Sequence, residues 1–162
     1  MNSNPPDLVL VTDIGVARAG NTAVLLALKS FVDYGGNPII AGNFSSSVLS
    51  NEADHTFKAI KLPWKRGDYY RTDVEYRSPL DRAVDGMPPF YSQKAVFLQG
   101  VDTSSEFWTY QPARGATTQS NMFPPYSTAS DQRAAIGCSH GFGFVSYLGD
   151  VNSGVEASRA VL

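Results

Sequence analysis

Cys138 and His140 stand two residues apart between Gly137 and Gly141, and a histidine beside a thiol can take its proton and leave a thiolate able to attack a carbonyl. In a tight turn, side chains at this spacing need not face each other, so a small residue and a solvated histidine at a hairpin corner fit the same letters. Ser45, Ser46 and Ser47 follow an apolar run. At a helix entrance their hydroxyls, with Asn43 and free backbone N–H groups, would suit an anion or small polar ligand. They would equally serve as helix caps. A nucleophilic Ser45 would need a base in reach, and no Gly-x-Ser-x-Gly pattern is present to mark an esterase.

Asp68, Tyr69, Tyr70 and Arg71 offer a carboxylate, two phenols and a guanidinium to a polar ligand. Against that, strand aromatics commonly pack, and Arg71 has Asp68 and Asp73 as nearby partners. Asp13 and Asp150 each follow an apolar run, and ligands of open α/β sheets gather at the carboxyl ends of strands. Gly149-Asp150-Val151-Asn152 can instead close a strand and cap a last helix. His55, His140 and Cys138 lie at no ligand-like spacing, so neither a metal site nor a cofactor is expected.

The elements that must position these residues follow from periodicity. Leu8 to Val11 is an unbroken apolar run, the pattern of a central strand buried on both faces. Asn21 can cap a helix whose Val24, Leu25, Leu28, Phe31 and Val32 recur at three-to-four spacing, and Gly35-Gly36 ends it. Pro38 to Gly42 is a second buried strand, so the first third reads as a parallel strand-helix-strand unit. Near Ser50 a second helix begins, with Ala53, Phe57 and Ile60 on one face and His55 on the other, and Pro63 stops it. Tyr69–Tyr76, Ala95–Leu98 and Phe107–Tyr110 read as strands, and Pro79–Pro89 as a loop with a helical turn. Residues 112–130 form a long surface loop. Arg133–Gly137 and Gly143–Leu148 pair as an antiparallel hairpin around Cys138 to Gly141, and Val155–Leu162 closes as a helix.

Composition narrows the class. The 162 residues are 43% hydrophobic and 12% aromatic, enough for one sizeable core, so a single domain spanning 1–162 is expected, with a disordered tail at 1–6. Thirteen basic and fifteen acidic residues give a net charge of −2, and the basic ones are scattered, which argues against nucleic acid. No apolar run approaches the roughly 18–20 residues of a membrane-spanning helix. One cysteine and no signal-like N-terminus predict a reducing, cytoplasmic setting, where the Asn43-Phe44-Ser45 triplet would not be glycosylated.

Leu8 to Asp13, the following helix, Gly35-Gly36 and Ile40 to Ser45 resemble the class I glutamine amidotransferase-like domain, in particular uncharacterised fungal proteins of the trehalose-utilisation type. Leu62-Pro63-Trp64, Gly67 to Thr72, Tyr91 to Phe97, Phe123-Pro124-Pro125 and Gly149 to Asn152 extend the likeness over nearly the whole chain. The resemblance implies a flavodoxin-like three-layer sandwich with a mainly parallel sheet and helices on both faces, here with a C-terminal antiparallel hairpin and without the first strand-helix unit. It implies an elbow at Asn43-Phe44-Ser45 where active members carry a cysteine, which this chain lacks. The expected function is a noncatalytic or cryptic module that binds a small molecule or assembles with a partner. The alternative is a hydrolase or lyase acting on a small polar or sugar-like substrate. An uncovered sheet edge would call for a homodimer or a missing N-terminal partner segment. The candidate residues are Asp13, Asn43, Ser45, Ser46, Tyr70 and Arg71 for binding, with Cys138, His140 and Ser45 for catalysis.

Overall fold

The computed structural model describes residues 6–78, 86–102, 104 and 106–151. Strand β1 (Leu8–Val11) runs through two short 3-10 turns into helix α1 (Thr22–Asp33), and β2 (Asn37–Ile40) follows. A short helix α2 (Asn43–Ser47) and then α3 (Ser50–Ala59) lead to the long strands β3 (Lys65–Arg77) and β4 (Phe90–Gln99). After β5 (Glu106–Pro112) and the 112–130 excursion come β6 (Ala135–His140) and β7 (Gly143–Leu148). The closing helix expected at Val155–Leu162 and residues 79–85 of the expected loop lie outside the described residues.

Helix α1 forms for the reasons its letters give. Leu25, Leu28 and Val32 are buried on one face, and the double glycine ends it. Gly35 adopts φ +95°, while the Gly36 N–H donates to Phe31 O at 2.9 Å, a reverse-turn cap that closes the last carbonyls. Helix α3 buries Ala53, Thr56 and Phe57, and its first turn is held by the Leu49 N–H donating to the Glu52 carboxylate at 3.0 Å.

The seven strands join in the order β1-β2-β7-β6-β5-β3-β4. Among the described residues, β1–β2 and β2–β7 are parallel and the other four strand pairings are antiparallel. This overturns the expected flavodoxin-like sandwich with its mainly parallel sheet. All three described α-helices contribute to one apolar cluster, where Leu28, Phe44 and Phe57 meet Ile40, Ile136 and Tyr147 of the sheet. Among the described residues no helix packs on the opposite face. Ile39, Ala135 and Leu148 there pack with Tyr70, Phe97 and Trp108 of the antiparallel strands, so the sheet covers its second face by curling over itself.

The curl closes through backbone hydrogen bonds along the outer edge of β4. Val96 N–H donates to Gly149 O at 2.9 Å, Leu98 and Arg133 exchange bonds of 2.8 Å, and Val151 N–H donates to Lys94 O at 3.1 Å. From Lys94 to Leu98 the free edge that β4 would present is therefore satisfied. Strand β1, expected at the centre, is the other end of the order, and its Leu8 and Leu10 are half exposed. None of the described helices is long and apolar enough to cross a membrane.

Gly149 sits where the closure is tightest: a Cβ there would lie 2.2 Å from Val96 O and 2.8 Å from Ala134 O. Both obstacles are backbone, so nothing flexible can yield. Gly149→Ala is expected to lower the unfolding free energy in urea by about 1–3 kcal/mol. Gly20→Ala, where a Cβ meets nothing within 4 Å, should stay within about 0.5 kcal/mol. Equal stability of the two variants would show that the closure contributes nothing.

Candidate functional site

The carboxyl ends of β1 and β2 are joined by main-chain bonds: Ala41 N–H donates to Val11 O at 3.0 Å and Phe44 N–H to Thr12 O at 2.8 Å. Between them the chain turns sharply at Gly42, whose φ of 65° and ψ of −129° are dihedrals an L side chain rarely adopts. This is the geometry of a strand-to-helix elbow, which in hydrolases thrusts a nucleophile outward. Here the residue in that conformation is a glycine, one position before the Asn43-Phe44-Ser45 triplet. The elbow presents no side chain at all.

The serines after it are engaged locally. Ser47 Oγ donates to Asn43 Oδ1 at 2.9 Å and Ser46 Oγ to Asn43 O at 3.3 Å, so Asn43, Ser46 and Ser47 stitch one helical turn. Ser45 is fully buried. Its hydroxyl meets no hydrogen-bond geometry and lies near the Tyr147 hydroxyl, which donates to Val96 O at 2.9 Å. Burial pushes the Tyr147 ionisation far up, only partly offset by Ser45 and Arg66. A neutral phenol of that kind cannot serve Ser45 as a base. Asp13 is exposed, and its carboxylate accepts the Gly15 N–H at 2.7 Å, capping the first 3-10 turn.

Tyr70 and Arg71 lie on opposite faces of β3, because adjacent strand residues alternate. Tyr70 is buried, stacks on Phe97 at a centroid distance of 4.4 Å and meets Tyr126 edge-on, which anchors the 112–130 loop. Desolvation, then the Asp68, Tyr126 and Asp131 charges, pushes its ionisation up against a smaller opposing pull from the Ala129 N–H. Asp68 turns to Gln132, whose amide donates to it at 2.7 Å. Arg71 lies directly across from Lys94 in the β3–β4 register, and the Lys94 ammonium sits 5.0 Å over the Tyr69 ring. Asp150 bridges to Ala95 at the β4 edge, the far end of the sheet order from Asp13.

Cys138 and His140 lie within β6, not in the turn; the hairpin reverses at Gly141 and Phe142, where Gly141 supplies φ +60°. Spacing of two along a strand puts both on the helical face. Cys138 is fully buried in the core. His140 Nε2 lies 2.7 Å from Ile60 O. A carbonyl only accepts, so Nε2 carries the proton and closes one of the end carbonyls of α3.

The sequence-derived residues therefore fall into separate places: Asp13, Asn43 and Ser46 at the elbow, Ser45 and Cys138 in the helical-face core, Tyr70 in the other core, Arg71 on the outer face of β3. Pattern reading missed a different feature. A groove of ≈ 380 Å³ runs beside the edge strand, lined by Val9, Val11, Val24, Ala27 and Phe31 with Thr12 and Asp13 at one end. A second groove of ≈ 490 Å³ is bordered by Lys58, Lys61 and Lys65 with Asp54; lysines at a helix C-terminus also serve its dipole. Among the described residues no cluster of three or more His, Cys, Asp or Glu side chains is placed to hold a metal.

No protein-family model and no curated protein matches the chain. Among solved structures it is similar to a GH42 beta-galactosidase, with 14% identity and a TM-score of 0.41 over 89% of this chain and 19% of that one. The chain thus spans about a fifth of that enzyme's length, and a likeness so distant carries no argument about fold or activity.

Ser45 gives the clearest test of the local geometry. Its hydroxyl is desolvated without a partner, so Ser45→Ala is expected to leave thermal stability unchanged or raise it by about 1 kcal/mol. A loss of similar size would mean that the hydroxyl is hydrogen-bonded.

Proposed function

We propose that this chain is a noncatalytic module that works by holding a partner or a small polar ligand. In this proposal its β1-to-α2 segment is related to the class I amidotransferase-like domain of the trehalose-utilisation type. The observation that carries the reading is Gly42: the elbow keeps the strained turn that would display a nucleophile and has no side chain there to display. Two further features support it. Ser45 and Cys138, the nucleophiles nearest in chemistry, are both fully buried, so neither is exposed to a substrate. The hydrolase or lyase alternative would need one of them to reach a substrate. A cytoplasmic setting belongs to the same proposal, since the single cysteine has no disulfide partner within the chain.

Reactive probes separate the readings. Incubated with a fluorophosphonate, the native protein is expected to remain unmodified at Ser45. Cys138 should be alkylated by iodoacetamide only as fast as the core opens, and therefore far faster in urea. Rapid alkylation of Cys138 in the native state, or fluorophosphonate labelling that Ser45→Ala abolishes, would overturn the noncatalytic reading.

A further inference from the structure

We propose that two copies of this chain join edge to edge through β1, antiparallel about a two-fold axis, to make one continuous sheet. This deepens the partner-holding reading and rests on it. The argument begins with which backbone groups are free. Asp7 O accepts from Asn37 N–H and Val11 O from Ala41 N–H, and in a parallel pair alternate residues direct both backbone groups to the same neighbour. Asp7, Val9 and Val11 therefore face β2, and Leu8 and Leu10 direct their N–H and C=O groups away from it, along the open edge. Among the described residues β1 ends the strand order, while at the other end Lys94, Val96 and Leu98 of β4 are bonded to Val151, Gly149 and Arg133.

Side chains on either side of this edge are apolar too. Leu8 and Leu10 are half exposed on one face, and on the other Val9 and Val11 line the groove beside α1. No charge or proline interrupts Leu8–Val11, although edges that must stay single normally carry one. The occupant such a site fits is a strand apolar on both faces with its own free edge. β1 itself has that composition.

Charge selects the register. Outward-facing residues must oppose outward-facing residues; Leu8 against the partner's Leu8 would set Leu10 against the partner's Pro6, which has no N–H to donate, so Leu8 pairs either with the partner's Leu10 or with the partner's Thr12. The second choice sets Asp7 against the partner's Asp13, and its Thr12 carbonyl is already bonded to Phe44 N–H. The first places Asp7 opposite the partner's Val11, stacks leucine on leucine, and brings Val9 against the partner's Val9. That central pair is of the non-hydrogen-bonded kind, with Cα atoms about 4.5 Å apart, inside the roughly 4.4–6.8 Å that a disulfide spans.

Sedimentation equilibrium of the full chain should give the mass of two subunits. Val9→Cys should then form an intersubunit disulfide under mild oxidation, whereas Leu10→Cys and the wild type, whose Cys138 is buried, should not. Leu10→Pro removes an outward N–H without breaking a β1–β2 bond, and should give the mass of one subunit with an unchanged circular dichroism spectrum. A wild type that is monomeric at all concentrations, a dimer that Val9→Cys fails to cross-link, or a folded Leu10→Pro dimer each overturns the proposal. Failure here with probe-inert Ser45 and Cys138 leaves the noncatalytic reading standing, and a reactive protein that still cross-links through Val9→Cys removes only that reading.

Discussion

The structure depends on one requirement: the backbone N–H and C=O groups along each sheet edge must find partners or face water. At β4 they find partners within the chain. Val96, Leu98 and Lys94 bond to Gly149, Arg133 and Val151, and this obliges β3, β4 and β5 to curl until the ends of β6 and β7 come alongside. The curl encloses the second core, where Tyr91 and Tyr76 meet Tyr110 edge-on and the Tyr110 hydroxyl donates to Pro88 O at 2.7 Å. Because that face is filled by strands, the helices gather on the other. Helix placement follows from edge satisfaction.

The first third of this arrangement is legible in the letters. Valine and leucine at helical spacing, the paired glycines and the apolar Pro38–Ile40 stretch determine β1, α1 and β2 through local rules. Strand direction after Pro63 is not. β3 and β4 are separated by twelve residues with no two-residue turn signal, and a gap of that length suits a crossover as well as a hairpin. Leu8–Val11 misleads for another reason. A continuous apolar run reads as a strand covered on both faces, whereas Leu8 and Leu10 are half exposed on one, and the run says nothing of whether a strand lies on each side. Cys138 to Gly141 read as a turn, whereas the positive φ that reverses the chain is available at Gly141, with Cys138 to His140 still in the strand.

The candidate site shows the same division. The resemblance places the elbow at Asn43-Phe44-Ser45, whereas the strained turn falls one position earlier, at Gly42. What letters do not carry is which residue takes the strained dihedrals, and that single position decides whether the elbow has a nucleophile. Tyr70 and Arg71 are adjacent in sequence and therefore opposed across the strand. Adjacency, which made them look like a pair, is the property that keeps them apart.

The two ends of the sheet differ in how firmly they are built. β3 and β4 are registered from Lys65–Gln99 to Glu75–Phe90 across one bulge, while β2 meets β7 only at Ile39–Ser146 and Ile40–Tyr147. The parallel third is thus joined to the rest through a short seam and through the helical-face core, where Phe44 and Phe57 stand edge-on to each other. Short, weakly joined elements open at lower free energy than the body that carries them. Anything that adds hydrogen bonds to the outer edge of β1 binds the closed form of that third and not the opened one, so by mass action it steadies β1, α1 and β2 together. An edge of this kind couples local order to occupancy. The closed antiparallel half keeps its own pairings either way.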